Sequence, residues 1–173
     1  MRRDYIDKYE NCSINLPYPT IEIKEKNIIY AKMIKKCYCG LNSELTLSKQ
    51  YFFQKFSLNS YLKDIFTKIL KVELDHLNIL GDLIVALGEY PSFYIEKKDK
   101  SYNWNVKFIN KDTSLKNILL NNIKQEEILI KEYRNICNII EDENIITILN
   151  RIILDEELHI KILKEIYKNE LDK

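Results

Sequence analysis

Two short motifs in the sequence combine residue types that bind transition metals. The chain contains only two histidines, His76 and His159, and each has a glutamate three positions before it, Glu73 and Glu156. Residues three apart share a face of an α-helix, so each motif can present one carboxylate and one imidazole to the same point. Helix bundles build dimetal sites from this spacing. The two motifs therefore predict a metal site between facing helices.

Four glutamates interrupt apolar stripes that otherwise predict the buried faces of helices. An unpaired carboxylate in an apolar interior costs several kcal/mol, so four of them require a compensating charge. No lysine or arginine falls on these stripes near the glutamates. Two divalent cations would balance four carboxylates and would also accept two neutral imidazoles. We therefore predict a dinuclear site with six metal ligands, namely Glu44, Glu73, His76, Glu126, Glu156 and His159.

The two halves of the chain repeat the same arrangement. Tyr51 follows Glu44 by two helical turns, and Tyr133 follows Glu126 in the same way. We expect a pseudo-two-fold bundle in which each tyrosine hydrogen-bonds the ligands or donates a proton, although simple core packing is an equally open role. Glu127 is the alternative to Glu126 as the ligand from its helix.

Apolar periodicity indicates the elements that position these residues. Apolar residues recur every three or four positions in four segments, and capping residues or glycine bound the segments. We predict four helices: one over residues 28 to about 56 that continues through Gly40, one from a cap at Asn59 or Ser60 to Gly88, one after the cap cluster at 112–114, and one after Asp142.

The connections between these helices predict an all-α four-helix bundle. The first and second helices are joined by a few residues, as are the third and fourth, so each pair forms an antiparallel hairpin. Residues 89–113 are too long for an ordinary bundle loop, which indicates a crossover along the bundle. We expect residues 91–108 to include a short extended piece whose aromatic side chains cover the side of the bundle.

Composition excludes several other functions. The formal net charge is +1 and no basic cluster is present, which argues against nucleic acid as a partner. No apolar stretch is long enough for a membrane span, and the four cysteines form no Cys-x-x-Cys pair, so we expect a cytoplasmic protein with free thiols. Residues 1–25 predict an irregular N-terminal arm over the surface, and residues 26–173 predict the bundle domain.

The candidate ligands and their neighbours resemble the motifs of a known superfamily. Glu44 with Tyr51, the Glu73-Leu-Asp-His76 motif, Glu126 with Tyr133 and the Asp155-Glu-Glu-Leu-His159 motif together resemble the ferritin-like dimetal-carboxylate proteins. The similarity extends to the rubrerythrin, bacterioferritin and manganese-catalase branches, and leans towards small manganese-catalase-like proteins of anaerobic bacteria. The resemblance implies a ferritin-like bundle that holds two iron or manganese ions.

The departures from the family pattern carry further expectations. Leu129 stands where rubrerythrins have an extra glutamate, and the cysteines are too few for their usual rubredoxin module, so a peroxidase reaction would need an external electron donor. By the resemblance, Asp155 lies behind the ligands and orients His76 through its second ring nitrogen. Val72 cannot do the same for His159, which implies that the two metal positions differ in affinity.

The ligand types and the resemblance together favour an oxidoreductase that acts on hydrogen peroxide or dioxygen, because carboxylates stabilise higher metal oxidation states. Two alternatives belong to other classes. One is a ferroxidase or metal-handling protein, and the other is a structural, coat-like ferritin fold with negligible turnover. Long amphipathic helices commonly pair through an exposed apolar side, so we also expect a homodimer.

Overall fold

The computed structural model describes residues 10–98 and 100–171, and helices dominate this part of the chain. Two short strands pair as an antiparallel hairpin between the third and fourth helices. The elements are α1 (Ile28–Cys39), α2 (Glu44–Gln54), α3 (Ser60–Ala86), β1 (Tyr94–Lys97), β2 (Lys100–Asn103), α4 (Leu115–Cys137) and α5 (Glu143–Leu171).

The helices form the predicted bundle of two hairpins. α2 packs mainly on α3 and α4 packs mainly on α5, with the long connection between α3 and α4 joining the pairs. The apolar faces of α1 to α5 enclose one continuous core of isoleucine, leucine and aromatic side chains. The all-α bundle of two helical hairpins predicted from the sequence is confirmed.

The prediction of one continuous helix over residues 28–56 is wrong, because the chain breaks between α1 and α2. Gly40 adopts an extended backbone, and a Cβ atom there would lie 2.5 Å from the carbonyl oxygen of Lys36. Ser43 caps the new helix by accepting a hydrogen bond from the amide of Thr46 at 3.2 Å, and its own hydroxyl bonds the Gly40 carbonyl at 2.8 Å. Leu41, predicted on the buried stripe, lies in the break and is 55% exposed.

The other helix ends follow their capping residues as predicted. Asn59 caps α3 through the amide of Leu62, and Ser114 caps α4. α3 ends at Ala86, and Gly88 follows with a φ of 91°, the left-handed conformation that glycine adopts without strain. These local signals were sufficient because each capping side chain satisfies amides of its own helix.

The crossover contains the expected extended piece in the form of the β1–β2 hairpin. The indole of Trp104 donates a 3.0 Å hydrogen bond to the hydroxyl of Thr46, and Gln50 exchanges two hydrogen bonds with the backbone of Asn110. Trp104 packs partly against the core, whereas Tyr102 at the hairpin is half exposed. The crossover is therefore hydrogen-bonded to α2 at Thr46 and Gln50, which lie about one helical turn apart.

The N-terminal segment is irregular where the structure describes it, from residue 10 onwards; residues 1–9 of the predicted arm lie outside the described part. It does not simply cover the surface, because Cys12 is buried. Cys12 also adopts a left-handed φ of 55°. None of the helices in residues 10–98 and 100–171 combines the length and hydropathy of a membrane span.

Candidate metal centre

Four helices bring the predicted glutamates to one depth in the bundle. Glu44 is the first residue of α2, so the break after α1 sets its position. Glu73, Glu126 and Glu156 lie near the middle of α3, α4 and α5, and all four carboxylates are completely buried. Apolar side chains of the same helices surround these carboxylates, as the apolar stripes of the sequence predicted.

Six buried side chains form two overlapping groups in which the potential ligand atoms lie within 4.8 Å of one another. Each group has one carboxylate and one imidazole of its own, and the two groups share Glu73 and Glu156. The groups are Glu44, Glu73, His76 and Glu156, and Glu73, Glu126, Glu156 and His159. The number and types of side chain in the two groups match those that a dimetal carboxylate site uses.

The two imidazoles face the carboxylates through the same ring atom. Nδ1 of His76 lies 2.8 Å from Oε1 of Glu156 and 3.5 Å from Oε2 of Glu44. Nδ1 of His159 lies 3.0 Å from Oε2 of Glu156 and 3.1 Å from Oε1 of Glu73. The rings are 6.3 Å apart between centroids, so each serves one of the two groups.

The two predicted tyrosines cross between the halves of the site. Tyr51 on α2 donates a 2.6 Å hydrogen bond to Oε1 of Glu126 on α4, and Tyr133 on α4 donates a short hydrogen bond to Oε1 of Glu44 on α2. Burial and the neighbouring carboxylates raise the pKa of both phenols well above 10. Both hydroxyls therefore remain protonated donors to the carboxylates, which is one of the roles expected from the sequence.

Charge crowding is severe within the cluster. Burial and the nearby Glu156 raise the pKa of both Glu73 and Glu126 well above 4.5. Burial would also raise the pKa of Glu156, but the charge of His76 and the hydrogen bond to His159 hold it well below 4.5. For His76, burial favours the neutral ring, but Glu156 and Glu44 raise its pKa well above 6.5. Without a metal, the raised pKa values of Glu73, Glu126 and His76 therefore favour the protonated form of each group.

The hydrogen bonds of the described residues leave much of this cluster unsatisfied. Both carboxylate oxygens of Glu73 make no hydrogen bond. Four other members each have one buried polar atom that also makes none: Glu44, His76, Glu126 and Glu156. Buried polar atoms in native proteins are otherwise almost always paired. Two divalent cations would pair these atoms and neutralise the four carboxylates, so the residues present fit a dinuclear centre.

The neighbouring glutamates lie on the surface instead. Glu127, the alternative ligand from α4, pairs with Lys164 at 3.2 Å, and Glu157 pairs with Arg134 at 2.6 Å. Both carboxylates are about half exposed. Of the two candidates on α4, Glu126 is the one that the fold directs into the cluster.

Asp155 lies behind His76, where the resemblance predicted it. Its Oδ2 is 3.2 Å from Nε2 of His76. Burial would raise the pKa of Asp155, but hydrogen bonds from His76, Tyr18 and the amide of Ile14 hold it well below 3.8. Behind His159 stands the backbone carbonyl of Cys12, which lies 3.1 Å from Nε2.

Sequence reasoning missed the partners of Asp155 and His159, most of which the N-terminal segment supplies. Arg151 forms a 2.8 Å ion pair with Asp155, and Tyr18 donates a 2.6 Å hydrogen bond to the same carboxylate. The spacing of Arg151, four residues before Asp155 on α5, is a signal that could have revealed that pair. No local signal connects Tyr18 or Cys12 with residues about 140 positions away.

The fold and this cluster define a ferritin-like bundle of the dimetal-carboxylate superfamily. The family model of rubrerythrin matches residues 40–167, which is most of the chain and all six candidate ligands. The chain therefore belongs to the rubrerythrin family, and the resemblance noted in the sequence is confirmed. No curated protein sequence matches the chain significantly.

Solved structures of two other proteins have a similar fold. KatB, a manganese catalase from Anabaena, superimposes with a TM-score of 0.82 at 22% identity, over 90% of this chain and 78% of that protein. A dodecameric thioferritin, the bacterioferritin-related protein from Bacteroides fragilis, superimposes with a TM-score of 0.65 at 16% identity, over 84% of this chain and 88% of that protein. At these identities the similarity establishes the fold.

Proposed function

We propose that the chain is a dinuclear iron or manganese oxidoreductase that acts on hydrogen peroxide. The observation that carries the proposal is the pair of buried ligand groups that share Glu73 and Glu156. Glu44 with His76 would complete one metal position, and Glu126 with His159 would complete the other. Membership of the rubrerythrin family and the fold shared with a manganese catalase support the same class of activity.

The chain's own residues would hold charge and protons around the centre. A pair of such metal ions, when bound, supplies two-electron exchange with peroxide. Tyr51 and Tyr133 fix the orientation of Glu126 and Glu44 through hydrogen bonds, and each keeps its proton on the hydroxyl oxygen. The apolar core around the six ligands excludes bulk water, which strengthens these electrostatic contacts.

Two forms of peroxide chemistry remain within the proposal. Disproportionation oxidises one peroxide to dioxygen and reduces a second to water, so it needs no external reductant. Peroxidase turnover reduces peroxide to water and takes two electrons from an external donor. The homodimer expected from the sequence stays a prediction, and neither reaction requires it.

The deciding experiment is metal analysis of anaerobically purified protein, together with an oxygen electrode in hydrogen peroxide without a reductant. Oxygen evolution with manganese bound supports catalase chemistry, and peroxide loss only with an added donor supports peroxidase chemistry. Oxygen consumption that depends on Fe(II), with little peroxide turnover, would replace the proposal with a ferroxidase. Two bound metals without any turnover would indicate a structural role.

A pair of variants tests the ligand assignment. Glu73→Ala should abolish turnover and the binding of at least one metal, because Glu73 is shared by both ligand groups. Glu127→Ala is the matched control, since Glu127 lies on the surface one residue after a candidate ligand. Full activity and two metals per chain in Glu73→Ala would refute the assignment.

A further inference from the structure

The N-terminal strap, residues 12–18, contacts the outer side of both candidate histidine ligands. Its members reach His159 directly and His76 through Asp155. We infer that this strap is a positioning element of the metal centre, which fixes the ring orientation and tautomer of both histidines. The inference rests on the proposed dimetal function and adds residues that the family motifs do not include.

The strap holds His159 through a backbone atom. The carbonyl oxygen of Cys12 lies 3.1 Å from Nε2 of His159. A carbonyl can only accept a hydrogen bond, so Nε2 must carry the hydrogen. Nδ1 faces Glu73 and Glu156, which lie 3.1 and 3.0 Å away, so in the neutral ring its lone pair would be free to bind a metal held by these carboxylates. Cys12 itself adopts a φ of 55°, the left-handed conformation that residues other than glycine rarely occupy.

The strap holds His76 through a carboxylate that it surrounds with donors. Oδ1 of Asp155 accepts hydrogen bonds from the hydroxyl of Ser13 at 3.0 Å and the amide of Ile14 at 2.7 Å. Oδ2 accepts one from the hydroxyl of Tyr18 at 2.6 Å and lies 3.2 Å from Nε2 of His76. An ionised carboxylate also only accepts, so His76 too must direct Nδ1 towards the ligand cluster.

Arg151 joins the strap to the helix that carries Asp155. Its guanidinium donates to the carbonyls of Leu16 at 2.8 Å and Ile14 at 2.9 Å, and it forms a 2.8 Å ion pair with Asp155. It also lies 4.3 Å from the ring centroid of Tyr18, in a cation–π contact. Arg151 is almost fully buried, so these contacts are sheltered from solvent.

The two histidines depend on the strap to different degrees. Asp155 belongs to α5, so the acceptor behind His76 is not part of the strap, and Tyr18 of the strap adds only an edge-to-face ring contact with His76 at 6.0 Å between centroids. The acceptor behind His159 is part of the strap itself, so its displacement leaves Nε2 without this partner. Loss of the strap contact should therefore weaken the metal position of His159 more than that of His76.

A backbone carbonyl can be moved by changing the side chain at its residue. Cys12→Val places a β-branched side chain at a left-handed φ, which such residues strongly disfavour, whereas Cys12→Ala removes the thiol without adding branching. Manganese(II) titration of the metal-free full chain by calorimetry should show two ions per chain in wild type and in Cys12→Ala. In Cys12→Val one of the two ions should bind about 10- to 100-fold more weakly.

Arg151→Lys provides a second variant if Cys12→Val does not fold. It keeps the charge but loses the planar fork that holds the strap, so one manganese ion should again bind more weakly. Asn144→Ala is its control, because Asn144 hydrogen-bonds Thr20 and Glu22 in the described part of the arm, away from the histidines. A merely structural role would give equal metal affinities in Arg151→Lys and Asn144→Ala, even where both melt at a lower temperature.

The outcomes separate this inference from the proposed function. Fewer than two manganese ions per wild-type chain, with iron(II) giving the same result, would overturn the dimetal proposal. Two ions in wild type with unchanged affinities in Cys12→Val would overturn the strap inference alone, and so would unchanged affinities in Arg151→Lys where Cys12→Val does not fold.

Discussion

The hydroxyl of Tyr51 donates a 2.6 Å hydrogen bond to Glu126, 75 residues further along the chain. Tyr133 and Glu44 form the reciprocal bond between the same two helices. Each tyrosine therefore serves the glutamate of the opposite half, and the internal repeat of the sequence becomes a cross-connection between α2 and α4. This connection links the geometry of one candidate metal position to that of the other.

Replacing Tyr51 by phenylalanine should weaken metal binding without unfolding the protein. The ring would still fill its core position, while Glu126 would lose the donor that orients it. Loss of such an outer hydrogen bond typically costs about 10- to 100-fold in metal affinity. Manganese titration of Tyr51→Phe against Tyr102→Phe, a change at a half-exposed tyrosine, measures the effect. Equal affinities in the two variants would show that Tyr51 only packs.

The carboxylate cluster should destabilise the metal-free protein at neutral pH. Glu73 has a pKa well above 4.5 in the folded state, because burial and the other glutamates disfavour its charge. Replacing it by glutamine removes this cost. Metal-free Glu73→Gln should therefore melt at a higher temperature than metal-free wild type, and added manganese should stabilise the wild type far more than the variant. Calorimetric melting with and without a chelator tests both statements.

The same groups set the sign of the pH dependence in metal-free protein. An acid with a raised folded pKa destabilises the fold increasingly as the pH rises above its unfolded value, here 4.5 for Glu73 and Glu126. His76 has a raised pKa as well, so its stabilisation is complete below 6.5 and is lost as the pH rises further. Both effects predict a higher melting temperature at pH 5.5 than at pH 7.5. Melting curves of chelator-treated protein that show the opposite trend would contradict this sign.

Residue types and helical spacing were enough to predict most of the fold and the composition of the candidate cluster. A glutamate in an apolar stripe is a local signal, and so is a cap such as Asn59. The structure brings together all six predicted ligands and both tyrosines for the same reason, since each lies on the buried face of a bundle helix.

The features that sequence reasoning missed depend on contacts between distant segments. Apolar periodicity continued across Gly40, so it concealed a break that the hydrogen bonds of Ser43 and Thr46 stabilise. The strap contacts of Cys12 and Tyr18 link residues that are far apart in the chain, and no periodic pattern reports them. The contacts that irregular backbone makes with the candidate ligands and with Asp155 therefore could not be predicted.

The break before Glu44 should not tolerate a side chain at Gly40. A Cβ atom there would lie 2.5 Å from the carbonyl of Lys36, so the backbone must shift and carry Glu44 with it. We expect Gly40→Ala to lower the free energy of unfolding by about 1–3 kcal/mol and to weaken metal binding. Gly81→Ala, within α3, is the control, since its Cβ would meet only the side chain of Tyr38 at 3.6 Å. That change should stabilise the protein by about 0.5–1 kcal/mol, and denaturant unfolding measures both.

Asp142 joins the start of α5 to the N-terminal segment. Its carboxylate accepts hydrogen bonds from the amides of Asn144 and Ile145 in the helix and from the amide of Lys24 in the arm. Burial would raise its pKa, but these amides hold it below 3.8. The stabilisation is therefore present above about pH 4 and is lost as the pH falls through the lowered folded pKa.

Asp142→Ala should lower the free energy of unfolding by about 1 kcal/mol at pH 7, the usual cost of a lost helix cap. Asp142→Asn keeps an acceptor oxygen, so it should recover much of that loss and remove the acid dependence that Asp142 contributes. The difference between wild type and Asp142→Asn should accordingly shrink as the pH falls from 5 towards 3. Urea unfolding at several pH values measures this difference, and a gap that widens in acid would show that the carboxylate does not stabilise the helix start.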